Sequence, residues 1–137
     1  MNRLDLQQLS DLRIREAKAL LALGFPEGAY YLGGYSVECA LKACIARRTC
    51  EHDFPDRKLV NDSHTHNLKD LLRLAELKDE LEALLEADPE MQLAFERVQE
   101  WAETSRYMRK TALEAEELLR AIEGQAGGLL PWIRLRW

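Results

Sequence analysis

Apolar and small residues recur at helical spacing along most of this chain, and the breaks between them mark the elements. From about Asp5 to Leu23, the residues Ile14, Ala17 and Leu21 fall on one face. Gly24 closes that helix and Pro26 opens the next, the usual stop and start pair. The second helix runs from about Pro26 to Arg48. A polar stretch, "TCEHDFPDRKLVNDSHTH", follows it without strong periodicity. A short third helix is predicted from about Asn67 to Leu77. A fourth, acidic helix starts near Lys78, with a break at "ADPE", where Pro89 suits a first helical turn. Its later half carries Leu93, Phe95, Val98 and Trp101. A last helix is predicted from about Ser105 to Ile122, with Met108, Ala112, Ala115, Leu119 and Ile122 on one side. No strand pair is indicated. The pattern predicts an all-α protein: an antiparallel four- to five-helix up-and-down bundle over residues 1–123.

Residues 124–137 read differently, as a C-terminal tail. Ile133, Leu135 and Trp137 alternate with Arg134 and Arg136, a period of two. Pro131 argues against a simple helical extension. The tail is expected to pack over its own bundle. The alternative is a docking segment, because Trp and Arg dominate interface hot spots.

The second helix carries three stripes. Ala29, Gly33, Ser36, Ala40 and Ala43 form a small-residue stripe that lets another helix approach closely. Such contact offsets the cost of about 1 kcal/mol per helical glycine. Tyr30, Val37, Leu41 and Cys44 form a large apolar stripe. Tyr31, Tyr35, Glu38 and Lys42 form the third. A helix with small or apolar groups nearly all round is central, so Glu38 is expected to be shielded. A shielded carboxylate needs hydrogen bonds or a cation. Lys42 is the local candidate; Arg106 and Tyr107 are the distant ones.

Composition narrows the class. Apolar residues make up 47% and charged residues 31% of 137, as in an ordinary globular domain with one core. No apolar run approaches the roughly 20 residues needed to span a bilayer, and the N-terminus lacks a signal-peptide core. Three cysteines without a CxxC pair make no disulfide framework. A cytoplasmic location without membrane association is the expectation. Ten acidic residues between Glu76 and Glu103 face only Lys78 and Arg97, which leaves the rest of the chain slightly basic. A non-specific nucleic-acid coat is thus disfavoured, but a local basic site is not.

Three stretches together carry a family resemblance. "ALLALGFPEGAYYLGGYSVECALKACIARR" holds Glu38 and the Ala40–Ala43 run. "HTHNLKDLLRLA" holds His66 at the opening of a helix. "EWAETSRYM" holds Trp101, Arg106 and Tyr107. Over roughly residues 10–123 the chain resembles the HEPN domain (higher eukaryotes and prokaryotes nucleotide-binding). The resemblance implies a HEPN-like bundle, commonly a homodimer. Relatives often work with a minimal nucleotidyltransferase as protein partner, in toxin–antitoxin-type pairs. It also implies a nucleotide or RNA ligand and no cofactor. Many active relatives are metal-independent ribonucleases with an Arg-x4–6-His motif near the last helix. Here the motif has no match: Arg106 reaches Thr111, Ala112 and Leu113, and Arg109 reaches Glu114, Ala115 and Glu116. Formal matches occur elsewhere, from Arg47 to His52 and from Arg57 to His64.

Two function classes follow. The first is a binding module that takes a nucleotide, a nucleic acid or a protein partner without catalysis, through a patch of Tyr35, Glu38, Lys42, His66, Arg106 and Tyr107. The second is an endoribonuclease using Arg47 with His52 or Arg57 with His64, the arginine for the phosphate and the histidine as base. Cys50-x-His52 and His64-x-His66 have zinc-compatible chemistry but no recognised finger spacing, so no metal is expected. Glycine-rich phosphate loops and a serine-centred elbow are both missing from the sequence.

Overall fold

Gly24, with a φ of 85°, makes the turn that sets the first two helices against each other. That left-handed conformation is one that glycine adopts without strain. In a computed structural model, which describes residues 1–49, 53–54, 56–124 and 127–137, α1 spans Arg3–Ala22 and α2 spans Pro26–Arg47. Asn2 and Asp5 cap α1 reciprocally, each side chain accepting from the other's backbone N–H at 2.9 Å. The two helices are antiparallel. Gly28 lies against Leu20 near the turn, and further along Ser10 Oγ donates to the Ser36 carbonyl at 2.7 Å.

The described residues contain no strand, and the protein is all-α. After α2 come α3 (Arg57–Asp62), α4 (Leu68–Leu74), α5 (Lys78–Ala87), α6 (Pro89–Gln99), a 3-10 turn (Glu103–Tyr107), α7 (Ala112–Glu123) and α8 (Leu129–Arg134). None of these helices is long and apolar enough to cross a membrane. As the stripes predict, α2 is central. Ala29, Gly33, Ser36, Ala40 and Ala43 are all buried, and so are Tyr30, Val37, Leu41 and Cys44. Its two mid-helix glycines serve different neighbours. A Cβ on Gly33 would meet Leu119 of α7 at 2.5 Å; one on Gly34 would meet the Trp101 indole at 2.3 Å.

The structure corrects three expectations. First, the helix predicted from Ser105 to Ile122 is two elements. Ser105, Arg106 and Tyr107 belong to the 3-10 turn, Met108 is extended, and α7 begins only at Ala112. The cause is a capping box: Thr111 Oγ1 accepts from the Glu114 N–H, and Glu114 Oε1 accepts from the Thr111 N–H, both at 3.1 Å. Met108 is consequently exposed rather than core-facing. Second, the polar stretch after α2 contains α3, started by Asp56, whose carboxylate accepts from the Lys58 and Leu59 N–H groups. Third, the tail carries a helix, α8. Pro131 is the third residue of α8, inside the first turn, where its missing N–H would have no partner anyway. Leu129, Leu130 and Ile133 bury themselves in the core, each contributing about 1.5–3 kcal/mol. Arg134 then bridges Asp11 and Glu123, and Arg136 stacks over Trp132 at 4.0 Å.

Candidate ligand-binding site

The site is built outward from one carboxylate. Glu38 sits on the inner side of α2 and is 1% exposed. Its Oε1 accepts from Lys42 Nζ at 2.9 Å, one helical turn on, and lies 2.9 Å from His66 Nδ1. Its Oε2 is buried with no hydrogen-bond partner among the described residues. A carboxylate this deep is costly unless compensated, and the two contacts on Oε1 supply that compensation. Lys42, the local cation expected from spacing, is one of them.

His66 is held in place by local structure. It precedes Asn67, whose side chain caps α4 by accepting from the Lys69 and Asp70 N–H groups at 3.0 and 3.1 Å. Leu68, Leu71 and Leu72 anchor that helix in the core. The imidazole is therefore delivered over Glu38 by a short, well-capped element. Its other nitrogen, Nε2, lies 2.8 Å from Glu103 Oε2 on the 3-10 turn. Each ring nitrogen thus faces a carboxylate oxygen.

Arg106 continues the line. Its Nη2 lies 4.0 Å from Glu103 Oε1, and its guanidinium stacks 4.8 Å from the Tyr107 ring centroid. Tyr107 and then Tyr31 favour its charged form. The groups thus run in series, Lys42–Glu38–His66–Glu103–Arg106, and Arg106 reaches Glu38 only through His66 and Glu103. Tyr107 is 77% exposed and anchors no core. Tyr35 stacks on Tyr31 with centroids 6.1 Å apart, and Tyr31 on Trp101 at 6.2 Å. Burial and the nearby Cys39 and Glu38 raise the Tyr35 hydroxyl above its ordinary pKa. Burial likewise pushes the Cys39 thiol up to about 12, which makes it inert packing rather than a nucleophile.

Thr65, His66, Asn67, Lys69, Trp101 and Thr104 line a cleft of about 510 Å³ beside this series. A larger depression of about 1090 Å³ lies between α1, α6 and α7. Its cations are already matched: Lys18 pairs with Glu123, and Arg97 with Glu117 at 2.9 Å. The smaller cleft is the better ligand seat because Lys69 Nζ and the Asn67 side-chain N–H₂, which line it, have no partner among the described residues.

The structure does not gather the other sequence candidates here. Arg57 and His64 stand exposed at the two ends of α3. Arg47 donates to the Arg136 carbonyl at 3.0 Å, on the α8 side of the molecule. His52 and Cys50 lie outside the described residues. No group of three or more His, Cys, Asp or Glu among the described residues is placed to hold a metal ion. The two carboxylates around His66 sit on opposite nitrogens of one ring, so they do not converge. Glu103 is the site residue that sequence reasoning missed. Its only signal was position, three residues before Arg106 in a segment read as the approach to a helix. Comparison with protein-family models, curated proteins and solved structures finds no match.

Proposed function

We propose that this chain is a HEPN-like binding module that holds a nucleotide, or a nucleotide of a nucleic acid, in the cleft beside His66 and does not cleave it. One observation carries the reading: the buried Glu38 fixes His66 at a donor-lined cleft of about 510 Å³. That volume lies within the range of small-molecule sites, and polar groups held by a rigid buried partner are what ligand orientation requires. The residues that carry the family resemblance support it as well, since Glu38, Lys42, His66, Trp101 and Arg106 contribute to this one region.

Cleavage is the less favoured reading on chemical grounds. It needs a base and a phosphate-binding cation together, and among the described residues Arg57 and His64 stand exposed at the ends of α3 while Arg47 lies on the α8 side, all away from the cleft. A homodimer and a nucleotidyltransferase protein partner belong to the proposal through the resemblance, and symmetric self-association is the commonest arrangement for such chains. The test is calorimetric titration of the purified protein with AMP and with a short single-stranded RNA, followed by analysis of the RNA after incubation in EDTA. Saturable binding with intact RNA is expected. Cleavage in EDTA would establish the ribonuclease reading instead, and no binding of either ligand would end the ligand reading. Sedimentation at micromolar concentration tests the dimer; a monomer would contradict it.

A further inference from the structure

We infer that the Glu103 carboxylate is an internal stand-in for the phosphate of the ligand, so that the cleft is self-occluded until a phosphate displaces it. This rests on the reading that the cleft takes a nucleotide. The geometry carries it. Glu103 turns its two oxygens toward a histidine and an arginine, Oε2 at 2.8 Å from His66 Nε2 and Oε1 at 4.0 Å from Arg106 Nη2. The first is a hydrogen bond; the second is too long for one. A carboxylate therefore satisfies His66 and falls short of Arg106. A phosphate monoester carries three terminal oxygens and more charge, and spans a wider set of donors. It can meet His66 where Glu103 does and also engage Arg106. Thr65, Asn67, Lys69 and Thr104 line the same cleft and supply further donors.

Glu103 is also placed to leave. Its side chain is 35% exposed, and those of His66 and Arg106 are 49% and 44% exposed. Contacts between groups so open to water hold weakly. The turn that carries it has extended residues on both sides, Ala102 and Met108. It is fixed by buried Trp101 and Ser105 rather than by Glu103 itself. A rotation of one side chain opens the seat, with no backbone shift. Glu38 stays behind His66, on the opposite ring nitrogen, and keeps the imidazole oriented throughout.

A ligand that must displace an internal group binds with an apparent affinity lowered by the fraction of time the site is open. The experiment compares wild type, Glu103→Gln, Glu100→Gln and the double variant His66→Gln/Glu103→Gln, each titrated with AMP, inorganic phosphate and adenosine. Glu103→Gln should bind AMP and phosphate about threefold to tenfold more tightly than wild type. Adenosine, lacking a phosphate, should show no such gain. Glu100 is exposed and outside the cleft lining, so Glu100→Gln removes the same charge and should change nothing. Adding His66→Gln should abolish the gain. Wild type that binds AMP alongside a Glu103→Gln variant that binds no more tightly would overturn this inference and leave the nucleotide reading standing. An equal gain in Glu100→Gln, or a gain that survives loss of His66, would overturn it too. Absence of AMP binding in both wild type and Glu103→Gln would overturn both.

Discussion

His66 Nδ1 and Glu38 Oε1 lie 2.9 Å apart, and among the described residues only Lys42 shares that buried carboxylate. The three side chains differ in exposure, and this makes their substitutions unequal. Lys42 and His66 both reach water; Glu38 does not. Removing either partner leaves the buried carboxylate with one contact, whereas removing Glu38 leaves two partly exposed side chains that can hydrate. Lys42→Met and His66→Gln are each expected to destabilise by about 1–3 kcal/mol. The Glu38→Gln/His66→Gln pair should cost less than the sum of its singles, by about 0.5–3 kcal/mol. Urea unfolding of the four proteins of that cycle measures this; strict additivity would show that the contact is not energetically coupled.

Thr111 decides where α7 begins. Its hydroxyl accepts from the Glu114 N–H at 3.1 Å while the Glu114 carboxylate returns to the Thr111 N–H. Thr111→Ala should lower stability by about 1 kcal/mol, within the usual 0.5–2 for a lost N-cap. Thr111→Ser should retain most of it. Thermal unfolding followed by circular dichroism checks both, and a Thr111→Ala protein as stable as wild type would show that packing alone sets the helix start.

How much of this was legible in the sequence depended on which force fixed each element. Where burial decides, spacing was enough. The stripes of α2 follow from side-chain size at helical intervals, and the close approach at Gly33 follows with them, whereas the Trp101 indole on Gly34 lies outside the small-residue stripe. Glu38 was expected to be shielded for the same reason. Where a single local hydrogen bond decides, spacing misled. Met108, Ala112 and Ala115 continue a helical rhythm, yet the Thr111–Glu114 box interrupts it; the T-x-x-E signal was present and the periodicity overrode it. Proline in the tail misled in the opposite sense, because its effect depends on whether it falls in the first turn or later. The pairing of His66 with Glu103 had no sequence signature. It arises from two loop-borne groups 37 positions apart, brought together by the packing of Trp101 against α2.

Glu123 gives the fold a defined acid sensitivity. Burial raises its pKa, but hydrogen bonds from Lys18 and Arg134 outweigh that and hold it below the ordinary 4.5. A group whose folded pKa is depressed contributes fully above its unfolded value and loses that contribution as pH falls through the folded one. Wild type should therefore lose stability below about pH 4.5 through this residue. The part carried by Glu123 should be about 1 kcal/mol or less, because solvent screens partly exposed pairs. Glu123→Gln should be less stable at pH 7 and show a shallower decline in acid. Parallel stability profiles for the two proteins would refute the assignment.

The sharpest packing test lies at Gly34. A Cβ there would sit 2.3 Å from three atoms of the Trp101 indole, a rigid ring face with no free end to swing aside. At Gly33 the clash is with one methyl, Leu119 Cδ2 at 2.5 Å, which a rotamer change can relieve. Alanine gains about 1 kcal/mol over glycine within a helix, and overpacking a tight core costs about 1–3. For Gly33→Ala the two nearly cancel, and stability should change by less than about 1 kcal/mol. Gly33→Leu adds bulk that Leu119 cannot yield to and should cost about 1–3 kcal/mol. For Gly34→Ala the ring must move, so destabilisation of about 1–3 kcal/mol is expected despite the better helix propensity. Displacing Trp101 also shifts Glu103, two residues on, away from His66. Gly34→Ala should thus move the His66 ring resonances in an NMR spectrum, while Gly33→Ala leaves them in place. Equal stability of the two alanine variants, with unchanged His66 signals in both, would show that the indole does not rest on Gly34.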